Sequence, residues 1–239
     1  MTAIKICGIT NIEDACLAAT SGADAIGFIF HPPSPRYVTP ETVKKIIQEL
    51  PHPIITVGVF VNLDCMEVKR IMDLCRLDMV QLHGAESPAF CREFSRSQVI
   101  KAIALRKEAD LAQLRDYPVK AVLVDAYDAQ RHGGTGERAD WALAARVKKE
   151  LPLILAGGLS LANIQEAITS VSPDAVDINS GVESAPGHKD HIKVKEIIKL
   201  VHSLRVHRTT IFNRSKAPSP AGGRGRGEAE GGPLASGHH

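Results

Sequence analysis

A thiol, an imidazole, two carboxylates, an arginine and two glycine-containing turns fall where this sequence could use them for chemistry. Cys7 ends the run AIKIC (3–7) and His83 ends MVQLH (79–83). Asp125 lies late in AVLVDAY (121–127), and Asp177 and Asn179 stand two apart in AVDINSG (175–181). Thiol, imidazole and carboxyl groups are acid–base material, whereas arginine and glycine-rich turns hold anions. Arg36 follows Pro32, Pro33 and Pro35, which stiffen its loop and suit it to a bidentate grip on a carboxylate; an exposed arginine in a stiff turn is the plainer alternative. Gly157–Gly158 and Ser180–Gly181 end two further runs, where backbone N–H groups can approach a phosphate, although glycine is common in any turn.

Other chemistries fit less well. Zinc needs a compact ligand set that Cys7, His83 and Asp125 do not supply without forced geometry, so no metal is expected. Lys5 and Lys101 lie toward the starts of their runs, a poor place for a Schiff base. Gly134 and Gly136 in GGTG fit a loose dinucleotide pattern, but they stand too far beyond Asp125 to open a helix directly after a strand. A lone cysteine such as Cys7 is by default packing material, and His83 serves equally well as a structural histidine.

The elements that position these groups are short β-rich runs at 3–7, 25–30, 54–61, 79–83, 99–105, 121–127, 153–158 and 175–181, separated by segments of helical spacing. Capping or first-turn residues open most of those segments: Asn11, Pro40, Asp64, Ser87, Asp140 and Ser160. Strict alternation requires parallel strands with crossover helices. Eight such units in about 200 residues predict a single (β/α)8 TIM barrel, in preference to a two-domain open sheet. Period 2 then groups Lys5 with Cys7, Gln81 with His83, Leu123 with Asp125 and Asp177 with Asn179. With these polar sets turned inward, thiol, imidazole and carboxylates converge where the βα loops begin. That placement, with Cys7 facing Asp125 across the barrel, takes the cysteine out of its default role.

The formal charge of +2 is uneven: five basic and two acidic residues in 206–239 place +3 there and leave −1 on residues 1–205. A near-neutral body without a basic stripe argues against nucleic acid as a partner. Five scattered cysteines without a CxxC, no secretory signal and no long apolar run predict a soluble, cytoplasmic protein with reduced thiols and no membrane contact. The barrel is expected over 1–205. Residues 206–239, rich in Gly and Pro, are expected to form a disordered low-complexity tail, and removal of 207–239 is expected to leave folding and turnover nearly unchanged.

The motifs KICGIT (5–10), GADAIGFIF (22–30), SPRYV (34–38), VGVFVN (57–62), VQLHG (80–84), Asp125 with GGTG and DW (140–141), LAGGL (155–159), DINSGVES (177–184) and PGHKD (186–190) together resemble the phosphoribosylanthranilate isomerase family of tryptophan biosynthesis, over residues 3 to 203. The resemblance implies an Amadori rearrangement of N-(5-phosphoribosyl)anthranilate to 1-(2-carboxyphenylamino)-1-deoxyribulose 5-phosphate, the third step from chorismate to tryptophan. It implies Cys7 as general base, Asp125 as general acid and Arg36 as ligand of the anthranilate carboxylate. Gly157, Gly158, Ser180 and Gly181 would form the phosphate site, with His83, Asp177 and Asn179 as further active-site candidates. No cofactor is implied; the partner is a small phosphoribosyl substrate, and the enzyme would be a monomer or homodimer. A related aminoaldose–ketose isomerase or epimerase on the same barrel, or a non-catalytic phosphometabolite-binding barrel, is the alternative.

Overall fold

The computed structural model describes residues 2–103, 105, 111, 114–125, 138–204 and 211–212. The GGTG segment, residues 126–127 of the sixth run and most of the helix expected over 107–117 lie outside them. In chain order the elements are β1 (Ala3–Ile6), α1 (Ile12–Thr20), β2 (Ala25–Ile29), α2 (Pro40–Gln48), β3 (Ile55–Phe60), α3 (Cys65–Cys75), β4 (Met79–Leu82), α4 (Pro88–Cys91), β5 (Val99–Ile103) and β6 (Ala121–Asp125). There follow α5 (Arg138–Lys148), β7 (Leu153–Ala156), α6 (Ile164–Val171), β8 (Ala175–Ile178), the small strands β9 (Glu183–Ala185) and β10 (His188–Lys189), and α7 (His191–Ser203). Strands β1 to β8 are all parallel and close on themselves through β1–β8 pairing. This is the expected (β/α)8 barrel. No helix among the described residues is long and apolar enough to cross a membrane.

Alternation sorts each strand between two cores. Ala25, Ile55, Val57, Met79, Ile100, Leu123, Ile154 and Ala175 fill the barrel interior, whereas Ile4, Ile26, Phe60, Val80, Val122, Leu155 and Val176 pack outward against the helices. Three aspartates fix the register at the strand starts. Asp24, Asp78 and Asp174 each immediately precede an even-numbered strand and accept the backbone N–H of Ile4, Thr56 and Leu153 on the strand before it, at 2.8 to 2.9 Å. A charged acceptor of this kind contributes about 1.5–3 kcal/mol.

Asn11, Asp64 and Ser87 cap α1, α3 and α4 through side-chain oxygens, and Pro40 opens α2 behind a Thr39 cap. Two expected starts move. Asp140 lies inside α5, and α6 begins at Ile164 rather than beside Ser160, because Asn163 Oδ1 accepts the Ser160 N–H and holds the preceding residues in a turn.

Within the expected tail, Ile211 and Phe212 are described, and both are buried with Ala3, Ala25, Ile55 and Met79 at the barrel floor. Residues 206–210 and 213–239 lie outside the described residues. Contrary to the expectation from sequence, removal of 207–239 should therefore cost stability, since it takes away Ile211 and Phe212. Ile211→Ala and Phe212→Ala are each expected to destabilise by about 2–4 kcal/mol, measured as a shift in urea midpoint. A midpoint unchanged in the double variant would mean that the contact contributes nothing.

Candidate active site

Inward parity brings the polar sets together as expected, at the C-terminal rim of the strands. A cavity of about 230 Å³ is lined by Cys7, Gln81, His83, Asp125, Asp177, Asn179, Gly157, Gly158 and Ser180, with Ile29, Val59, Ala156 and Leu159 as its apolar walls. Arg36 and Gly181 do not line it directly. A Cβ at Gly8, the residue after Cys7, would lie 2.9 Å from Arg36 Cδ and 2.5 Å from Asn179 Oδ1, which places both side chains against the backbone that follows Cys7. A Cβ at Gly181 would run into the Leu159 carbonyl, so the loops after β7 and β8 touch there. Gly157 and Gly158 have positive φ (91° and 59°), a conformation that turns their backbone toward the cavity at little steric cost.

Beneath the rim runs a buried polar layer in which Lys5 is central. Lys5 is fully buried and pairs in register with Asp177 of the neighbouring β8. Its ammonium donates to Asp177 Oδ2 at 2.7 Å, to Cys7 Sγ at 3.1 Å and, across the interior, to Gln81 Oε1 at 2.9 Å. All three N–H donors are thus used. Gly27 of β2 makes room: a Cβ there would stand 2.8 Å from Cys7 Sγ and 2.9 Å from Lys5 Cε.

The network also sets a tautomer. Because the ammonium can only donate, Gln81 must turn its oxygen to Lys5 and its Nε2 to His83 Nδ1, 3.0 Å away. The His83 proton then lies on Nε2. Although its ring is open to solvent at the rim, desolvation by the surrounding barrel holds the His83 pKa below its ordinary value, against the opposite pull of Asp125 and Asp177. His83 is therefore a neutral N–H donor at pH 7.

Electrostatics at Cys7 run against simple expectation. Burial pushes the thiol pKa up and Asp177 pushes it further, while Lys5 and Lys189 pull it down without prevailing. For Lys5, burial lowers the pKa, but Asp177 and Cys7 together outweigh it and leave the ammonium above its usual value. Asp125, three strands from β1 around the ring, is exposed at the rim rather than walled in by apolar groups.

Arg36 is held by a carboxylate of the chain itself. Glu183, on β9, accepts Arg36 Nε at 2.8 Å and Nη2 at 2.6 Å. Lys189, buried on β10, donates to Glu183 Oε1 at 3.0 Å and to both the carbonyl and Oδ1 of Asn179. Sequence reasoning missed Glu183, Lys189, Gln81 and Gly27. Parity had marked Gln81 as inward and would have marked Gly27, whereas the Glu183 pairing leaves no periodic signal. Among the described residues no cluster of three or more His, Cys, Asp or Glu could hold a metal ion, and all five cysteines are free thiols.

Fold and site define a (β/α)8-barrel protein with a thiol, an imidazole, carboxyl groups and glycine turns gathered on one rim, and an arginine beside them. Residues 4–200 match the family model described as N-(5'phosphoribosyl)anthranilate (PRA) isomerase. The N-(5'-phosphoribosyl)anthranilate isomerase of Syntrophus aciditrophicus is 49% identical over 216 residues, covering 90% of this chain and 94% of that protein. The crystal structure of phosphoribosyl anthranilate isomerase from Thermotoga maritima superposes with a TM-score of 0.77 at 41% identity, covering 85% of this chain and all (100%) of that one. A phosphoribosyl anthranilate isomerase crystallised with reduced 1-(o-carboxyphenylamino)-1-deoxyribulose 5-phosphate gives a TM-score of 0.75 at 39% identity, with 85% and 100% coverage. The chain belongs to the N-(5'-phosphoribosyl)anthranilate isomerase family.

Proposed function

We propose that this chain converts N-(5'-phosphoribosyl)anthranilate to 1-(o-carboxyphenylamino)-1-deoxyribulose 5-phosphate by proton transfer alone, as an isomerase of tryptophan biosynthesis. The observation that carries the reading is the placement of Cys7, with Lys5 Nζ 3.1 Å from its sulfur, in the same cavity as Asp125 and the Gly157–Gly158 turn. Asp125 gives its proton to the ribose ring oxygen; the C1–O bond breaks and a cationic Schiff base forms at the anthranilate nitrogen. Cys7 takes the C2 proton, and the C–H electron pair moves to neutralise that nitrogen as an enolamine, which tautomerises to the ketone. Lys5 stabilises the thiolate form of Cys7 by charge and hydrogen bond.

The phosphate is assigned to the backbone of Gly157, Gly158, Ser180 and Gly181, and the aromatic carboxylate to Arg36. His83 and Asn179 are substrate-facing donors, and Asp177 acts through Lys5. Grips at both ends of the substrate hold C2 against the base, so that positioning supplies part of the rate.

The test is direct. Phosphoribosylanthranilate generated in solution should lose its fluorescence when the purified chain is added, with the aminoketose as product. Binding of a phosphorylated analogue without turnover would favour the non-catalytic barrel instead.

A further inference from the structure

We infer that Glu183 is a specificity-determining positioning residue: by clamping one edge of the Arg36 guanidinium, it presents the opposite edge to the substrate carboxylate. The inference rests on the carboxylate role proposed for Arg36 and goes beyond it. A guanidinium has five N–H groups in a rigid fork. Glu183 takes Nε and one hydrogen of Nη2, so three N–H groups remain, and one of the two on Nη1 forms with the one on Nη2 a second bidentate edge. A planar group held at one edge cannot swing, and its other edge is set before any substrate arrives.

Glu183 is not a mobile stand-in for the substrate. Its side chain is only 5% exposed, and it also accepts Lys189 Nζ at 3.0 Å and the Gly187 N–H at 3.3 Å. The β9–β10 hairpin thus anchors the clamp independently of Arg36. Charge supports the same reading. Arg36 and Lys189 together carry two positive charges, and Glu183 cancels one, leaving a single positive charge for a single carboxylate. Without Glu183 the guanidinium would lose its tether, because an amide at this position can accept from one N–H but must turn a donor toward the other.

The experiment compares the parent, Arg36→Ala and Glu183→Gln on two compounds: phosphoribosylanthranilate and its des-carboxy analogue, N-(5'-phosphoribosyl)aniline. The parent should prefer the carboxylated substrate, and Arg36→Ala should abolish that preference. Glu183→Gln should raise KM for the carboxylated substrate about tenfold or more and for the analogue by much less, with any change in kcat shared by the two compounds. If Glu183→Gln melts below the assay temperature, Glu183→Asp, which keeps the charge for Lys189 but retracts from Arg36, is expected to lose the same preference. An unchanged or lowered KM, or equal losses on both compounds, would overturn the inference while leaving the isomerase reading intact. A preference that survives Arg36→Ala would instead refute the carboxylate role of Arg36 and remove the ground for Glu183. Turnover of neither compound by the parent would sink the isomerase reading itself.

Discussion

Cys7→Ser and Asp125→Asn are each expected to lower the turnover of phosphoribosylanthranilate by about 10²–10⁴-fold, the range that one positioned proton donor or acceptor supplies. The assignment reverses what isolated groups would do. With ordinary pKa values of about 8.5 for a thiol and about 3.9 for an aspartic acid, reaching thiolate and neutral acid together costs about 4.6 units, or roughly 6 kcal/mol. Lys5 beneath Cys7 works to narrow that gap. Burial and Asp177 nevertheless leave the Cys7 pKa raised. The thiolate that the proposed route needs is thus a minor form of the resting site. On the proposed route ring opening would change the field, since a cationic Schiff base favours the thiolate at the step that needs it. Fluorescence decay with each variant measures the loss. Cys7→Ser or Asp125→Asn retaining more than a tenth of parental turnover would remove that residue from the proton transfers.

Lys5→Met carries the second large effect, and it should appear in both stability and pH dependence. The substitution leaves Asp177 without its partner, and Asp177 Oδ1 is already a buried oxygen with no hydrogen bond. Breaking a buried ion pair from one side costs about 3–5 kcal/mol, a fall of roughly 6–20 °C in Tm for a domain of this size. The pKa of Lys5 is raised from 10.5, so its contribution to stability is complete below that pH and is lost as pH climbs through the higher folded-state value. Catalysis shifts for another reason. Lys5 pulls the Cys7 pKa down, so its loss should raise the thiol pKa by about 1–3 units; because the thiolate is the minor form, turnover at pH 7 should fall accordingly while the basic limb of the pH–rate profile moves upward. Adding Asp177→Asn to Lys5→Met removes the unpaired carboxylate together with its upward push on the Cys7 pKa, so stability should return and the profile should move back toward the parent's. Stability that stays low in the double variant would mean that the loss does not come from an uncompensated Asp177.

Much of this was legible because the barrel imposes period 2. Lys5 with Cys7, Gln81 with His83, and Asp177 with Asn179 all face inward as alternation requires, and Asn11, Asp64 and Ser87 cap the helices they precede. What could not be read depends on distance in the chain or on the balance of opposing fields. Glu183 meets Arg36 across 147 positions of sequence, through a hairpin too short to carry a pattern. Lys5 could be placed beneath Cys7 by counting, but the excess of burial over its charge could not. Ile211 and Phe212 escaped notice because two apolar residues in a polar stretch, RVHRTTIFNRSK (205–216), carry no period of helix or strand, yet they pack with the barrel interior. Ser160 looked like a helix cap, yet Asn163, three residues on, accepts its N–H and delays the helix.

The central claim, that Cys7 takes the C2 proton and Asp125 gives one to the ring oxygen, is tested most directly by the deuterium isotope effect on turnover of substrate labelled at C2. A pH profile alone reports the coupled pair rather than its members. Cys7→Ser should make C2 proton removal more fully rate-limiting and raise the isotope effect above the parent's. Asp125→Asn should make ring opening limiting and suppress it. An isotope effect raised by Asp125→Asn and abolished by Cys7→Ser would contradict the account and reverse the two roles.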